Sequence, residues 1–215
     1  MRRHLITYLL AGLTAGLLSC GEARDDFDLL RGALSPDVPR FHPRANALAA
    51  IRPIPPRLEV GFPSRDLSGV MLLETTRNGV ETWLTADGAT ITLEDGLLTS
   101  AKGFGSGLAA SDVSQSAAVL RGARSGPVTR FHSFLNGNDE IELRAYRCAF
   151  QSLGQEEVFV QGLGVNTLKI KENCYGTSSQ FSNLYWLRPQ SREIVQSLQW
   201  TGDFLGSLMM KRVPE

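Results

Sequence analysis

The chain has 215 residues, and its 22 basic and 22 acidic residues give no formal net charge. Because the chain is neutral and has no basic cluster, it does not have the pattern of a protein that binds the phosphate backbone of a nucleic acid. Beyond Cys20 no apolar run approaches the roughly 20 residues that a membrane-spanning helix needs. The remainder is long enough for one sizeable soluble domain with a core.

The N-terminus has the parts of a bacterial secretory signal. Two arginines precede an apolar run that ends at Leu18, and Ser19 stands immediately before Cys20. A cysteine at this position accepts a diacylglycerol, and paired acyl chains hold a domain on a bilayer. The sequence predicts a lipoprotein signal peptide at residues 1–19 and lipidation of Cys20. The alternative is an ordinary secretory signal with an incidental cysteine.

The residue after Cys20 indicates which membrane receives the protein. It is Gly21 rather than aspartate. By the sorting rule of enteric bacteria, glycine here directs a lipoprotein to the outer membrane. We therefore expect the domain on the periplasmic face of the outer membrane.

The remaining two of the three cysteines are Cys148 and Cys174. An even number of cysteines in an oxidising compartment predicts a disulfide. Two separate buried thiols are the alternative, because spacing along the chain does not show that the two Cα atoms come close enough.

Residues 20–57 are rich in proline. The prolines are Pro36, Pro39, Pro43, Pro53, Pro55 and Pro56. Proline at this density prevents long helices and central strands. The segment therefore predicts a semi-rigid tether between the bilayer and the domain, with short helical turns at Asp25–Ala33 and Arg44–Ile51.

Residues 58–215 have the pattern of a single all-β domain. Short segments rich in β-branched and aromatic residues alternate with turn signals such as Asn78-Gly79, Asp87-Gly88 and Asp95-Gly96. The pattern predicts an antiparallel meander. Its predicted strands are Val70–Thr76, Val80–Thr85, Thr90–Leu93, Leu97–Lys102, Val128–Leu135, Glu140–Phe150, Glu157–Gln161, Thr167–Cys174, Leu184–Arg188, Ile194–Trp200 and Ser207–Val213.

Two segments interrupt this regular pattern. The apolar positions Ile141 and Leu143 continue to Ala145 and then change parity at Tyr146, which predicts a β-bulge near Ala145. The segment Ala109–Gly122 predicts a helix.

The sequence contains no recognisable catalytic or metal motif. HExxH, Gly-x-Ser-x-Gly and clustered Cys/His spacings are absent. His42 falls in the predicted tether, and His132 falls in an apolar strand, where a hydrogen-bonded core or rim histidine is commoner than a catalyst. The Gly103–Gly107 segment lacks the βαβ context of a phosphate-binding loop. We predict a protein that is not an enzyme and needs no cofactor or metal.

Two groups of carboxylates leave a glycan-modifying enzyme as an alternative. They are Asp139, Glu140 and Glu142, and the pair Glu156 and Glu157. A glycosidase needs two carboxyl groups at a defined separation across a cleft. Solvated strand ends are the commoner explanation for such residues.

Aromatic residues are concentrated near the C-terminus. Tyr185, Trp186 and Trp200 stand close to Phe181 in the predicted strands. Aromatic faces stack on sugar rings and also anchor hydrophobic cores. The three residues are therefore a candidate binding surface, with a place in the core as the alternative.

Six segments carry a more specific pattern. They are Thr85–Leu93, Asp95–Leu98, Gly103–Gly105, Glu172–Cys174, Phe181–Trp186 and Ile194–Trp200. Together they resemble the YjbF/GfcB family of group 4 capsule polysaccharide lipoproteins over residues 65–213. The resemblance implies an outer-membrane lipoprotein of exopolysaccharide or capsule production, whose antiparallel meander curls into a half-barrel and which has no established catalytic residues.

The resemblance also relates particular positions to the family. The family's cysteine pair corresponds to Cys148 and Cys174. Its Asn-x-Tyr-Trp segment corresponds to Asn183, Tyr185 and Trp186.

Compartment and resemblance together favour a lipid-anchored periplasmic accessory protein for exopolysaccharide or capsule production or export. It would act by binding glycan or an outer-membrane protein of the export apparatus. The alternative is a carrier or chaperone that shields a lipid or a lipoprotein acyl chain in the half-barrel concavity. A glycan-modifying enzyme is the third alternative and lacks the required side-chain constellation.

Overall fold

A computed structural model of the protein describes residues 42–104, 107–135, 138 and 140–213. Within these residues, twelve strands form one antiparallel sheet, accompanied by two short helices and one 3-10 turn. The predicted signal peptide, Cys20 and most of the predicted tether lie outside the described residues.

The strands are β1 (Arg57–Phe62), β2 (Leu67–Arg77), β3 (Val80–Leu84), β4 (Thr90–Glu94), β5 (Leu97–Lys102), β6 (Leu108–Asp112), β7 (Val128–Leu135), β8 (Ile141–Val160), β9 (Leu163–Tyr175), β10 (Gln180–Leu187), β11 (Ile194–Gly202) and β12 (Gly206–Arg212). The helices are α1 (Pro43–Ala49) and α2 (Ser114–Leu120), and the 3-10 turn is Pro63–Arg65.

The sheet is a meander that is joined in the middle by its first and last strands. Its order is β5-β4-β3-β2-β1-β12-β11-β10-β9-β8-β7-β6, so every neighbouring pair is consecutive in sequence except β1 and β12. The edge strands β5 and β6 lie beside each other, although no ladder joins them within the described residues. The sheet is therefore nearly closed and barrel-like. This architecture confirms the predicted all-β fold built on a large curved antiparallel meander.

The meander has two rims. Because neighbouring strands are antiparallel, the turns after odd-numbered strands lie at one rim, the first rim, and those after even-numbered strands lie at the second rim. The backbone N–H of His42 donates to the carbonyl oxygen of Ala86 in the β3–β4 turn, at 2.9 Å. The chain therefore enters the domain at the first rim. Helix α2 lies at the second rim, where Arg121 pairs with Asp95 of the β4–β5 turn.

Inward-facing side chains fill the interior of the sheet. The main cluster draws on both halves of the meander and includes Leu58, Trp83, Tyr146 and Leu208, all almost completely buried. Burial of this apolar surface is the main stabilising contribution to the fold. The concavity that a half-barrel would offer is thus occupied by the protein's own side chains.

One polar side chain crosses the interior and supports the β4–β5 turn. Gln199 of β11 accepts a hydrogen bond from the N–H of Leu98 and donates one to the carbonyl oxygen of Gly96, each at 2.8 Å. Both backbone groups belong to the β4–β5 hairpin at the edge of the sheet. The side chain therefore supplies bonds that a further strand would otherwise provide.

The β8–β9 hairpin is longer than predicted and bends over the outer face of the sheet. The predicted strands Glu140–Phe150 and Glu157–Gln161 are parts of the single strand β8. The bend lies where the β8–β9 register shifts at Gly154, whose φ of 90° is strained for other residues. Beyond it, Val158 packs in a cluster with Trp186. We call this bent half of the hairpin the β8–β9 arm.

Two local predictions are wrong. Only the second half of Ala109–Gly122 is helical, because the first half belongs to β6 and pairs with β7. The β7–β8 register runs without a shift from Val128–Cys148 to Leu135–Ile141, so the predicted bulge near Ala145 is absent. The apolar positions before Ala145 therefore face outward.

Part of the predicted tether is docked on the domain. Pro43 occupies the start of α1, where the missing N–H of proline costs nothing. Leu48 of α1 packs against Leu84 on the outer face of the sheet, and Arg44 pairs with Glu74. The folded unit therefore begins before residue 58, the start predicted for the domain, because α1 buries its own apolar face.

Candidate functional site

The three aromatic candidates for a binding surface are all buried. Tyr185 lies on the inner face of β10, and Trp200 packs inside the sheet against Phe181. Trp186 faces outward but is covered by the β8–β9 arm, where its indole N–H donates to Glu156. The three rings therefore do not form an exposed surface in this structure, and each is used for packing, which is the alternative that the sequence left open.

Tyr185 instead belongs to a buried polar cluster around Glu172. The carboxylate is completely buried, and Arg130 beside it is 2% exposed. Oε2 accepts hydrogen bonds from Arg130 Nη1 at 2.8 Å, Asn183 Nδ2 at 2.8 Å and Tyr185 Oη at 2.7 Å, and Oε1 accepts one from Ser116 Oγ at 2.6 Å. These five residues are called the Glu172 cluster. It joins α2 to β7, β9 and β10.

The charges of this cluster are fixed by its surroundings. Burial opposes ionisation of Glu172, but the Arg130 guanidinium and the donated hydrogen bonds outweigh it and hold the pKa of the carboxyl below its usual value. Burial, together with the negative charge of Glu172, raises the pKa of the Tyr185 phenol well above its usual value. The cluster therefore contains one compensated ion pair and a neutral phenol, which suits a structural role.

His132 lies in an aromatic stack next to this cluster. Its ring stacks on Phe181 and Trp200, with centroid distances of 5.3 Å and 5.7 Å. Neither ring nitrogen has a hydrogen-bond partner among the described residues, contrary to the expected hydrogen-bonded histidine. Burial, with the nearby guanidinium groups of Arg130 and Arg144, lowers the pKa of His132 to about 3. The imidazole is therefore neutral and packs as an aromatic ring.

The cysteine pair joins β8 to β9. Cys148 and Cys174 occupy directly opposed positions and form a disulfide with an S–S distance of 2.02 Å. Among the described residues, Glu172 is the third member of the one group that brings three metal-ligating side chains together. Because the two sulfurs are bonded to each other, they offer no thiolate to a metal.

Two of the candidate carboxylates, Glu142 and Glu156, have structural partners. Glu142 pairs with Arg144, and Glu156 pairs with Lys169 as well as with Trp186. Asp139 lies outside the described residues. The contacts of Glu156 tie it to β9 and β10, whereas Glu142 pairs within its own strand β8.

An exposed apolar surface lies on the outer wall of the sheet. Four side chains of two paired strands face outward there, and we call them the β7–β8 ladder: Phe131, Leu135, Ile141 and Leu143. Ile141 and Leu143 are 71% and 75% exposed, and Leu135 lies directly opposite Ile141. Contiguous exposed apolar side chains of this kind mark interaction sites.

A second apolar feature opens at the first rim. It is a cleft of about 370 Å³, which we call the rim cleft. Its apolar walls are Val60, Phe62, Leu67, Val70 and Phe104, and the β3–β4 turn at Thr85, Ala86 and Asp87 completes it.

These features define the class of protein: an all-β domain whose buried polar groups serve packing and whose outer surface carries the exposed apolar sites. In the described part of the chain, no helix combines the length and apolar character needed to cross a bilayer. The family model described as "Group 4 capsule polysaccharide lipoprotein gfcB, YjbF" matches residues 53–213. The chain belongs to this family.

Comparison with solved structures supports the fold. The crystal structure of the hypothetical lipoprotein YmcC from Escherichia coli (K12) superposes with a TM-score of 0.66 at 17% sequence identity. The match covers 92% of this chain and 98% of that chain. A search of curated proteins gives no match.

Proposed function

We propose that the protein is an accessory of exopolysaccharide or capsule production or export, anchored by lipid on Cys20 at the periplasmic face of the outer membrane. It acts by binding a protein of the export apparatus rather than by catalysis. The family membership supports the pathway, since the family is described as one of capsule polysaccharide lipoproteins. The lipoprotein signal and Gly21 support the location.

The β7–β8 ladder is the observation that supports action by binding a protein partner. Glycan recognition uses exposed aromatic rings, but Tyr185, Trp186 and Trp200 are buried. The ladder is mainly aliphatic and lies on a regular two-stranded surface, which suits the apolar centre of a protein interface. We therefore favour a protein partner over a glycan.

A gene deletion with matched complementation tests this function. We expect cell-surface and released polysaccharide to fall in the deletion strain and to recover with the wild-type gene. The variant Ile141→Asp/Leu143→Asp should not restore it, although it is present at the normal level in the outer membrane. The matched control Phe159→Asp/Leu163→Asp changes two exposed residues of the β8–β9 arm and should restore it.

The outcomes separate the parts of the proposal. If the amount of polysaccharide were unchanged in the deletion strain, under conditions where the polysaccharide is made, the proposed accessory function would be contradicted. If the ladder variant restored the polysaccharide fully, the ladder would not be the interface with the partner. The Cys20→Ser variant tests the anchor. If it incorporated labelled fatty acid as strongly as wild type, Cys20 would not be the lipidation site.

A lipid carrier is the second candidate, and the rim cleft is the observation that favours it. The cleft is apolar, whereas the interior of the sheet is filled by side chains. Gly69 lines the cleft, and a Cβ added there meets no atom within 4 Å. A carrier should co-purify with lipid detectable by mass spectrometry, and Gly69→Leu should displace it. Lipid-free wild-type protein would count against a carrier.

A further inference from the structure

Exposed apolar side chains stand in two turns of the first rim. Leu67 begins β2 and Phe204 lies in the β11–β12 turn, and they are 59% and 56% exposed. Arg65 connects the two turns. Its guanidinium lies 4.7 Å from the ring centroid of Phe204 and donates a hydrogen bond to the carbonyl oxygen of the same residue. Two exposed apolar side chains, with an arginine from the turn of one packed on the ring of the other, therefore project from this rim.

The chain enters the domain beside this surface. Leu67 lines the rim cleft, and so does Ala86, whose carbonyl oxygen accepts the hydrogen bond from the His42 N–H. Cys20 lies 22 positions before His42. A chain of this length reaches at most roughly 80 Å. A lipid on Cys20 would thus hold a bilayer within reach of the rim without fixing how the domain faces it.

We propose that the first rim rests on the phospholipid bilayer, with Leu67 and Phe204 entering its interfacial region. The proposal rests on the lipid anchor of the proposed function. Aromatic and aliphatic side chains favour this region, and an arginine can lie along them with its charged head in the headgroup layer. The anchor raises the effective concentration of the bilayer at the rim, so a small apolar contact is sufficient.

The charges at this rim indicate which lipids matter. Asp66 and Asp87 lie in its turns, Arg65 lies in the same turn as Asp66, and Asp203 is paired with Arg144. With both signs present, the described residues of the rim include no excess of basic side chains to attract anionic lipid. Contact should therefore form on zwitterionic phosphatidylcholine and change little when anionic phosphatidylglycerol is added.

This orientation gives the β7–β8 ladder a defined direction. The ladder lies along the wall of the sheet, whereas the rim surface lies at its end. When the domain rests on its first rim, the wall that carries the ladder stands upright on the membrane. The ladder then faces sideways, in a direction parallel to the membrane plane. The partner in the proposed function would then be a protein embedded in, or lying on, the same membrane.

Depth-dependent quenching tests the contact. The mature chain, residues 20–215, is coupled through Cys20 to a maleimide phospholipid in phosphatidylcholine vesicles; the disulfide leaves this thiol as the single reactive one. A fluorophore is attached through an azide-bearing residue at position 204 or, as the control, at position 159. Phe159 matches Phe204 closely, because it is 60% exposed, but it lies on the β8–β9 arm.

Nitroxide groups near the lipid headgroups provide the quencher. We expect quenching at position 204 to exceed that at position 159 by about threefold or more, because a side chain inserted among the headgroups lies next to the quencher. Equal quenching would show a domain held away from the surface by its tether. Stronger quenching at position 159 would show that another face rests on the bilayer. Either of the last two results overturns the proposal.

Paired variants test the named side chains. With the fluorophore moved to Ser64 in the turn beside them, Leu67→Asp/Phe204→Asp should remove most of the quenching. The matched control Phe159→Asp/Leu163→Asp should leave it unchanged. Thermal unfolding checks that both variants fold, which we expect because all four side chains are more than half exposed. Unchanged quenching in the rim variant would exclude these two residues as the contact.

The design separates failure of this proposal from failure of the anchor. The synthetic lipid replaces the natural one, so the rim is tested whether or not cells acylate Cys20. Mass spectrometry of Cys20 from the native membrane tests the anchor itself. The vesicles contain no other protein, so quenching at position 204 reports contact with lipid alone.

Discussion

Arg130 and Glu172 form an ion pair inside the sheet, with 2.8 Å between Nη1 and Oε2. They lie on strands separated by β8 in the sheet order, so the pair fixes the positions of three neighbouring strands. Removing two charges from water is costly, and their mutual attraction offsets this cost only with good geometry and further hydrogen bonds. Ser116, Asn183 and Tyr185 provide those bonds.

We predict that Glu172→Gln destabilises the protein by about 3–5 kcal/mol, because it leaves the Arg130 guanidinium buried without a counter-charge. Urea unfolding of the mature chain measures the change. The double variant Arg130→Met/Glu172→Gln should cost less than the sum of the two single changes, because the residues are coupled.

An exposed ion pair provides the control. Glu193→Gln disrupts the surface pair with Arg188 and should cost under about 1 kcal/mol. A loss at Glu172 no larger than that at Glu193 would contradict a structural role for the buried pair.

The buried neutral His132 predicts sensitivity to acid. Its pKa is about 3 in the folded protein, whereas an unfolded histidine has a pKa near 6.5. Below that unfolded value the unfolded chain binds the extra proton, so stability falls by up to about 1.4 kcal/mol per pH unit as the pH decreases toward 3. Above pH 6.5 the imidazole is neutral in both the folded and the unfolded chain, so His132 causes no loss of stability there.

The variant His132→Phe tests this contribution, since it keeps an aromatic ring and removes the titrating group. We expect a shallower loss of stability between pH 6.5 and about 5, measured by urea unfolding at several pH values. Because the pKa of Glu172 is lowered, its contribution is fully present above the range in which unfolded carboxyls titrate and is lost only below about pH 5, so this interval isolates the histidine. The same pH profile for wild type and variant would refute the assignment.

The disulfide should contribute strongly to stability. Cys148 and Cys174 are 26 residues apart, a loop for which the chain-entropy model gives about 3.5 kcal/mol. We predict a loss of this size in Cys148→Ala/Cys174→Ala, measured by urea unfolding. The buried bridge in the native protein should also resist mild reductant until the protein unfolds. Rapid reduction under native conditions would show that the β8–β9 pairing opens easily.

Gln199 should control the edge of the sheet. In Gln199→Leu the N–H of Leu98 and the carbonyl oxygen of Gly96 lose their partners, and each unsatisfied buried group costs about 1–3 kcal/mol. We predict faster amide hydrogen exchange at Leu98 than in wild type, with little change at Cys148 in the central β8–β9 ladder. Equal exchange at Leu98 would mean that the hairpin does not depend on this side chain.

Much of the fold follows from local sequence signals. Asn78 and Gly79 adopt the positive φ values that their residue types tolerate, and the predicted β2–β3 hairpin turns there. The strands Leu97–Lys102 and Val128–Leu135 have the predicted bounds. Turn residues and side-chain alternation are local properties, so the sequence reports them directly.

The surfaces and the polar interior were harder to predict. The expectation of a bulge near Ala145 assumed that Ile141 and Leu143 face inward, and the structure places both outside. Glu172 and Arg130 come together only through the sheet order, which no local pattern specifies. One signal was available: Glu172 has the same strand parity as Ile170 and Cys174, so a charged residue stood at an inward position.

The join between β1 and β12 determines how the domain bears mechanical load. The segment nearest the tether is α1, held on the wall by the Arg44–Glu74 pair and a few apolar contacts. Next comes β1, which is bonded on one side to β2 and on the other to β12. A pull transmitted from the membrane would therefore detach α1 first and then meet two ladders at once. With the proposed anchor on Cys20, the domain would be attached at an interior strand and not at a free edge, so motion of the membrane would not readily peel the sheet apart.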